Sequence, residues 1–283
     1  MKKLILSSFV CISLFTQAQV QTPKASPVAK VEQRVGLTDI SISYSRPAMN
    51  GRKIFGELLP FGELWRLGAN ENTKITNSDI LIFGSDTLKA GTYAIFARPN
   101  MDSWEVIFYT ETTNWGLPEK WETSKVALTV NAKVKKMPMV TENLSITIDA
   151  MEFNSAVLNI TWDKTQVSLP FTLNTKSKVL ESIEKTLSAS PVTANDYNQA
   201  ASYYFTEQID MKKALEWSTK AVEMKGVSAY WMTRLKSQLQ AANGDYKGAI
   251  ETAKISMEAA EKDGDQNYVK MNQSSIEEWS KKK

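Results

Sequence analysis

Residues 144–162 read LSITIDAMEFNSAVLNITW. Leu144, Ile146, Ile148 and Ala150 alternate with polar residues, and Ala156, Leu158, Ile160 and Trp162 do the same after Asn154-Ser155. Alternation of period two puts one set of side chains on each face of an extended strand. Two such runs joined by an Asn-Ser turn predict an antiparallel hairpin with one buried face.

The same grammar holds on both sides of this stretch. Ile40, Ile42 and Tyr44 alternate with Ser41, Ser43 and Ser45. Tyr93, Ile95 and Ala97 follow a Lys89-Ala90-Gly91 turn, and Val167, Leu169, Phe171 and Leu173 form a last strand. Trp104, Val106 and Phe108 alternate with Glu105, Ile107 and Tyr109, which makes this strand apolar on both faces and places it centrally in a sheet. Short strands between Gly, Asn, Asp and Ser turns predict a mainly antiparallel β domain, sandwich or barrel.

In the back half of the chain the period changes to that of a helix. Met211, Ala214, Leu215, Ser218, Ala221 and Val222 form one stripe, and Tyr246, Ala249, Ile250, Ala253, Met257 and Ala260 another. Asp210 and Asp245 open the two stretches as N-caps, 35 positions apart. Between them, Trp231, Leu235, Leu239 and Ala242 predict a partner helix ended by Gly244, and Gln266 to Trp279 predicts a closing helix. Trp217 and Trp231 read as packing residues. All nine prolines lie at or before Pro191, and eight of the twelve glycines precede Trp121, a composition shift that marks two domains of different class. The predicted organisation is a signal peptide over 1–18, a linker over 19–30 and a β-sandwich-like domain over 31–174. A linker or first helix over 175–192 and an all-α, repeat-like helical domain over 193–283 complete it.

Lys2 and Lys3 precede the uncharged apolar stretch Leu4 to Phe15, and Thr16-Gln17-Ala18 offers small residues for cleavage. This pattern predicts an exported protein, periplasmic or secreted, and is too short for a membrane span. The only cysteine, Cys11, lies inside the stretch, so disulfide and thiolate chemistry are not expected after cleavage. The chain carries 34 basic and 31 acidic side chains; without Lys2 and Lys3 the balance is 32 against 31. No basic block stands out apart from the Lys281-Lys282-Lys283 tail, which argues against nucleic acid as a partner. There is no histidine. Ser-His and Cys-His nucleophile systems and histidine-ligated metals are thereby excluded. No metal site and no cofactor are expected, since Asp79 and Asp86 lack the spacing of a calcium loop.

One stretch departs from strand and turn. From Tyr44-Ser45-Arg46-Pro47 it runs through Gly51-Arg52, Phe55-Gly56, Pro60-Phe61-Gly62 and Trp65-Arg66 to Gly68-Ala69-Asn70-Glu71-Asn72. A planar guanidinium on an aromatic, glycine-shaped loop suits carboxylate, phosphate or sugar hydroxyls, because its fork gives paired hydrogen bonds and its face stacks on rings. Arg46, Arg52, Trp65, Arg66, Asn70 and Glu71 are the candidate ligand-binding residues, joined by Trp115 from the loop Asn114-Trp115-Gly116-Leu117-Pro118. The competing reading is structural: a long loop must satisfy its own carbonyls, and arginine suits that task. Trp104 and Trp121 are further aromatic candidates, with core the stronger reading for Trp104. Glu57, Glu63 and Glu71 are the carboxylates from which a glycosidase pair would have to come.

The segments Ser26-Pro27 with Lys30-Val31, Tyr44-Ser45-Arg46-Pro47, Gly51-Arg52-Lys53-Ile54-Phe55-Gly56, Trp65-Arg66-Leu67-Gly68-Ala69-Asn70-Glu71, Leu88-Lys89-Ala90-Gly91-Thr92-Tyr93 and Asn114-Trp115-Gly116 carry a resemblance. Over roughly Ser26 to Phe171 the chain resembles a domain-of-unknown-function family of exported proteins from Bacteroidetes-type bacteria. That resemblance implies no activity. The helical tail resembles tetratricopeptide repeats: Gly244 to Ile250 fits the start of the repeat's second helix, whereas Thr233 and Ser237 depart from the pattern of the first.

The reading that follows is an exported, non-enzymatic binding protein. Its β-domain is expected to hold a small polar or anionic ligand or glycan, and its helical tail to dock a protein partner. The alternatives are a carboxylate-dependent, carbohydrate-active enzyme of the cell envelope, and a purely structural envelope component.

Overall fold

The computed structural model describes residues 22–282, so the signal-like stretch, Cys11 and linker residues 19–21 lie outside the described residues. The chain divides into two compact units, one through Thr175 and one from Lys176.

Among the described residues the first unit holds nine strands: β1 (Val28–Val35), β2 (Thr38–Ser45), β3 (Lys74–Asn77), β4 (Leu81–Phe83), β5 (Asp86–Leu88), β6 (Gly91–Pro99), β7 (Ser103–Tyr109), β8 (Val126–Asp149) and β9 (Ser155–Thr172). They form one antiparallel sheet in the order β1-β2-β3-β6-β7-β8-β9-β4-β5. The strand that is apolar on both faces, β7, stands in the middle of that order. Its inner side chains Trp104, Val106 and Phe108 join the main core. Ile107 and Tyr109 join Ala94 and Phe96 of β6 in a second cluster, packed against Leu64, Trp121 and Val126.

Two long strands turn this sheet around its core. β8 runs 24 residues; it pairs with β7 over Val126 to Lys133 and with β9 over Val134 to Asp149. The predicted hairpin is the far end of this pair, with Ile146 opposite Ile160 and Ile148 opposite Leu158. Where separate short strands are predicted at Ala156 to Trp162 and Val167 to Leu173, the chain makes one strand of 18 residues. The break in the apolar pattern at Asp163 is a bend rather than an end. Asp163 has φ +54 and lies opposite Thr141, at a register shift that begins after Lys136. Four residues of β8, 137 to 140, there face only Lys164 of β9, and the extra residues twist the pair without ending it. The predicted strand residue Ala150 instead falls in the connecting loop, at φ +49.

Both halves of the sheet face one core. Phe83 of β4 meets Phe108 of β7 with ring centroids 5.4 Å apart. The Ile146 amide donates to the Tyr44 hydroxyl at 2.9 Å, joining β8 to β2. Past its end, β2 is tied to β8 again by an Ala48–Asn143 bridge and by the Leu144 amide donating to the Pro47 carbonyl at 3.0 Å.

The second unit holds six helices: α1 (Thr175–Ser188), α2 (Ala194–Thr206), α3 (Met211–Lys225), α4 (Tyr230–Ala242), α5 (Tyr246–Asp263) and α6 (Gln266–Trp279). From α2 onward each helix packs on its successor. Asp210 and Asp245 accept from the amides of Lys213 and Gly248, satisfying donors that a helix start leaves unpaired. Gly244 follows the C-cap Asn243 with φ +86, a conformation that glycine reaches without a Cβ clash. The buried stripes contain Ala214, Ser218 and Ala221 on α3 and Ala249, Ala253 and Ala260 on α5. On α4 the buried face is Met232, Thr233, Leu235, Ser237 and Leu239. Trp217 packs as expected, but Trp231 is 42% exposed and only edges onto Tyr230. Small polar residues thus occupy the α4 seam. Ser256 donates to the Tyr230 carbonyl at 2.7 Å and accepts from Asn272, whose carbonyl oxygen takes a bond from Arg234.

Candidate functional site

The irregular stretch after β2 does not stand apart from the sheet. Arg46 donates through Nε to the Leu144 carbonyl at 2.9 Å, and its amide donates to the Pro27 carbonyl. Arg52 is exposed and curls onto its own turn, donating to the carbonyls of Met49 at 2.8 Å and Ala48 at 2.6 Å. Trp65 is in the core: it stacks on Trp162 at 5.8 Å and meets Trp104 edge-on at 6.0 Å. Its indole N–H donates to the Gly68 carbonyl at 3.3 Å. Trp104 itself is buried, and Trp121 stacks on Tyr109 at 4.6 Å.

The remaining candidates come together at one rim. Asn70, held at φ +60, donates through Nδ2 to the Ser26 carbonyl at 3.2 Å and to the Ser45 hydroxyl at 3.3 Å. Its own carbonyl accepts from Arg66 Nη1 at 3.1 Å. The Arg66 guanidinium lies over Gly116, where an added Cβ would stand 2.7 Å from Nη1. The neighbouring Trp115 is 67% exposed. Glu71 is exposed beside Asn70. Arg46, Arg66, Asn70, Glu71 and Trp115 therefore belong to one neighbourhood, while Arg52 lies apart and Trp65 lies beneath. None of the three arginines has an acidic partner among the described residues.

Two asparagines that lie in the quoted stretches but are not among the candidates join the loops. Asn114 donates through Nδ2 to the Gly116 carbonyl at 2.9 Å, which leaves its Oδ1 to accept from Asn72 Nδ2 at 3.0 Å. That chain of bonds fixes the orientation of the Asn72 amide. Its Oδ1 is buried without a partner in a residue only 3% exposed. A cavity of about 70 Å³ opens here, lined by Asn72 with Lys24, Ser43, Ser45, Asn70 and Lys74, among others. Glu71 also lines it. Glu57, by contrast, is held by Lys53 at 3.0 Å.

The loop bearing Asn114 and Trp115 is clamped at its base. Lys125, in a short 3-10 turn over Thr123–Lys125, reaches Glu122 at 2.8 Å and Glu111 at 3.3 Å. The Thr113 hydroxyl, then Lys125, hold the Glu111 carboxyl below its ordinary range. Glu122 first, and Glu111 after it, push the Lys125 ammonium up.

Sheet and rim define a class: an antiparallel β unit whose loops meet over one polar hollow, followed by a helical unit. Residues 26–171 match the family described as "protein of unknown function (DUF2911)", and the chain belongs to that family. The matched region begins at the residue whose carbonyl holds Asn70 and takes in both loops of the rim. No curated protein matches the chain.

Proposed function

We propose that this is an exported, non-enzymatic binding protein of Bacteroidetes-type bacteria. Its β unit holds a small polar or anionic ligand or glycan at the rim formed by Arg66, Asn70, Glu71 and Trp115. Its helical unit, a degenerate tetratricopeptide-like pair with a closing helix, docks a protein partner. The observation that carries the reading is the pairing of a half-buried guanidinium lacking an acidic partner with a tryptophan left 67% exposed beside it. Arginine there supplies charge and a hydrogen-bonding fork, and the indole supplies a flat apolar face for a ring. Arg46 serves this site indirectly, by fixing the strand end from which the loop departs. Export rests on the N-terminal pattern of Lys2, Lys3 and the apolar stretch that follows.

A thermal-shift screen of the purified chain against sugars, organic acids, phosphate and divalent ions tests the reading. Ligand binding to the native state raises the midpoint with concentration. A rise that disappears in Arg66→Ala, with the unliganded midpoint little changed, supports it. A rise that persists in Arg66→Ala moves the site elsewhere, and no rise with any compound refutes the binding role of the β unit.

A further inference from the structure

The hollow beside the rim has a chemistry of its own. Asn72 Oδ1 is an acceptor with no donor, buried, and turned away from Asn114 by the bonds that fix the amide. That atom is closed to solvent, so the chemistry of the hollow rests on the accessible groups that line it. The same hollow is lined by Lys24 and Lys74, and neither ammonium has an acidic partner among the described residues. Lys74 stands opposite Ser43 in the β2–β3 register. The Ser45 hydroxyl accepts from Asn70, which leaves its own proton free to donate. Glu71, at the edge, is an acceptor. An occupant must therefore present hydroxyl donors and a negative charge together.

We propose, resting on the binding reading above, that this hollow anchors the carboxylate end of an acidic sugar of the uronate type. The carboxylate lies between Lys24 and Lys74, and a neighbouring sugar hydroxyl donates to the exposed Glu71 carboxylate. Inorganic phosphate lacks the ring for which the exposed Trp115 offers a face. A neutral sugar would leave both ammonium groups unanswered. A volume of about 70 Å³ admits a carboxylate and an adjoining hydroxyl but no whole ring, so the rest of the sugar lies outside. The exposed Trp115 is on the loop that Asn114 ties to Asn72, which gives the emerging ring a surface to stack on.

The test is isothermal titration of the full chain with D-glucuronate, D-glucose and inorganic phosphate. Glucuronate is expected to bind about tenfold or more tightly than glucose, because one charge-assisted hydrogen bond is enough for that ratio. Lys74→Gln, a half-buried strand-end residue whose replacement keeps the fold, brings the ratio near one. Near-UV circular dichroism checks that fold. Equal affinity for both sugars, preference for phosphate, or a ratio unaffected by Lys74→Gln overturns the anchoring proposal. In those cases sensitivity to Arg66→Ala leaves the broader binding reading standing. Failure of all three compounds to bind, together with an empty thermal-shift screen, overturns both.

Discussion

Replacing Gly116 by alanine should injure the rim in two separable ways. Gly116 has φ +85, and a Cβ in that region costs about 1–2 kcal/mol. The new methyl would also stand 2.7 Å from Arg66 Nη1 and 3.3 Å from Cζ. A guanidinium is the far end of a flexible side chain, so it would swing away and lose its 3.1 Å bond to the Asn70 carbonyl. Arg66 is half-buried, and water would recover part of that loss, leaving a cost of about 1 kcal/mol. Gly116→Ala should therefore cost about 2–3 kcal/mol in the wild-type chain, but about 1–2 kcal/mol when Arg66 is already alanine. The assay is urea unfolding followed by tryptophan fluorescence, fitted with separate transitions for the two units so that the β unit is read alone. An equal cost in both backgrounds would refute the contact between Arg66 and Gly116. No cost in either would refute the backbone argument as well.

Two further outcomes follow from the same geometry. Trp65→Ala should destabilise the β unit by about 3–5 kcal/mol, because it empties the space between Trp104 and Trp162. Trp115→Ala, at an exposed site, should stay within about 0.5 kcal/mol in the same urea experiment; similar losses in both would contradict their placement. The loop clamp should respond to acid. The folded Glu111 carboxyl is held below its ordinary 4.5, so its stabilisation is complete above that value and is lost as pH falls through the lower folded value. Lys125 stays charged throughout, its own pKa being raised. The Trp115 indole signal in a two-dimensional NMR titration should move only below pH 4.5 and should lose that step in Glu111→Gln. A step at or above 4.5, or one unaffected by the substitution, would show that Glu111 does not hold the loop.

The parts of the fold legible in the sequence are those where one face of an element is buried along its length. Leu144 to Ile148 and Ala156 to Trp162 alternate because each apolar residue enters the same core. Asp210 and Asp245 are readable as caps because the amides they satisfy are local. The middle of β8 is not readable in this way. From Lys135 to Val140 its side chains are largely exposed where the strand passes between the two halves of the sheet, so no alternation marks it as a strand. Pro138 falls within this irregular register, where a missing amide donor costs no ladder bond. The apolar pattern breaks between Trp162 and Val167 because a short polar residue at positive φ, Asp163, suits a bulged strand as well as a strand end.

At the rim, Arg66, Asn70 and Trp115 could be named because loop composition draws attention to them. The same composition draws in Trp65, although its ring lies in the core. Lys24 and Lys74 carry no such mark, and Asn72, though inside the same loop, is not singled out by it. A buried asparagine and a solvated one are written alike, and only the bonds through Asn114 distinguish them. Arg52 shows the opposite case, a residue in a suggestive motif whose donors are used by the carbonyls of its own turn.

The position of β4 and β5 bears on when the β unit can assemble as it is made. This hairpin leaves the chain between β3 and β6, which are themselves neighbours, and attaches instead to the far end of β9, with Ile82 opposite Thr172. Leu81, Phe83 and Leu88 are thus synthesised some ninety residues before the strand that shelters them. Until Thr172 emerges β4 lacks its strand partner, although Phe83 can already meet Phe108 of β7. Its closure is a single late event tied to the arrival of its last strand. From α2 onward the helices, each leaning on its successor, can settle in the order in which they appear.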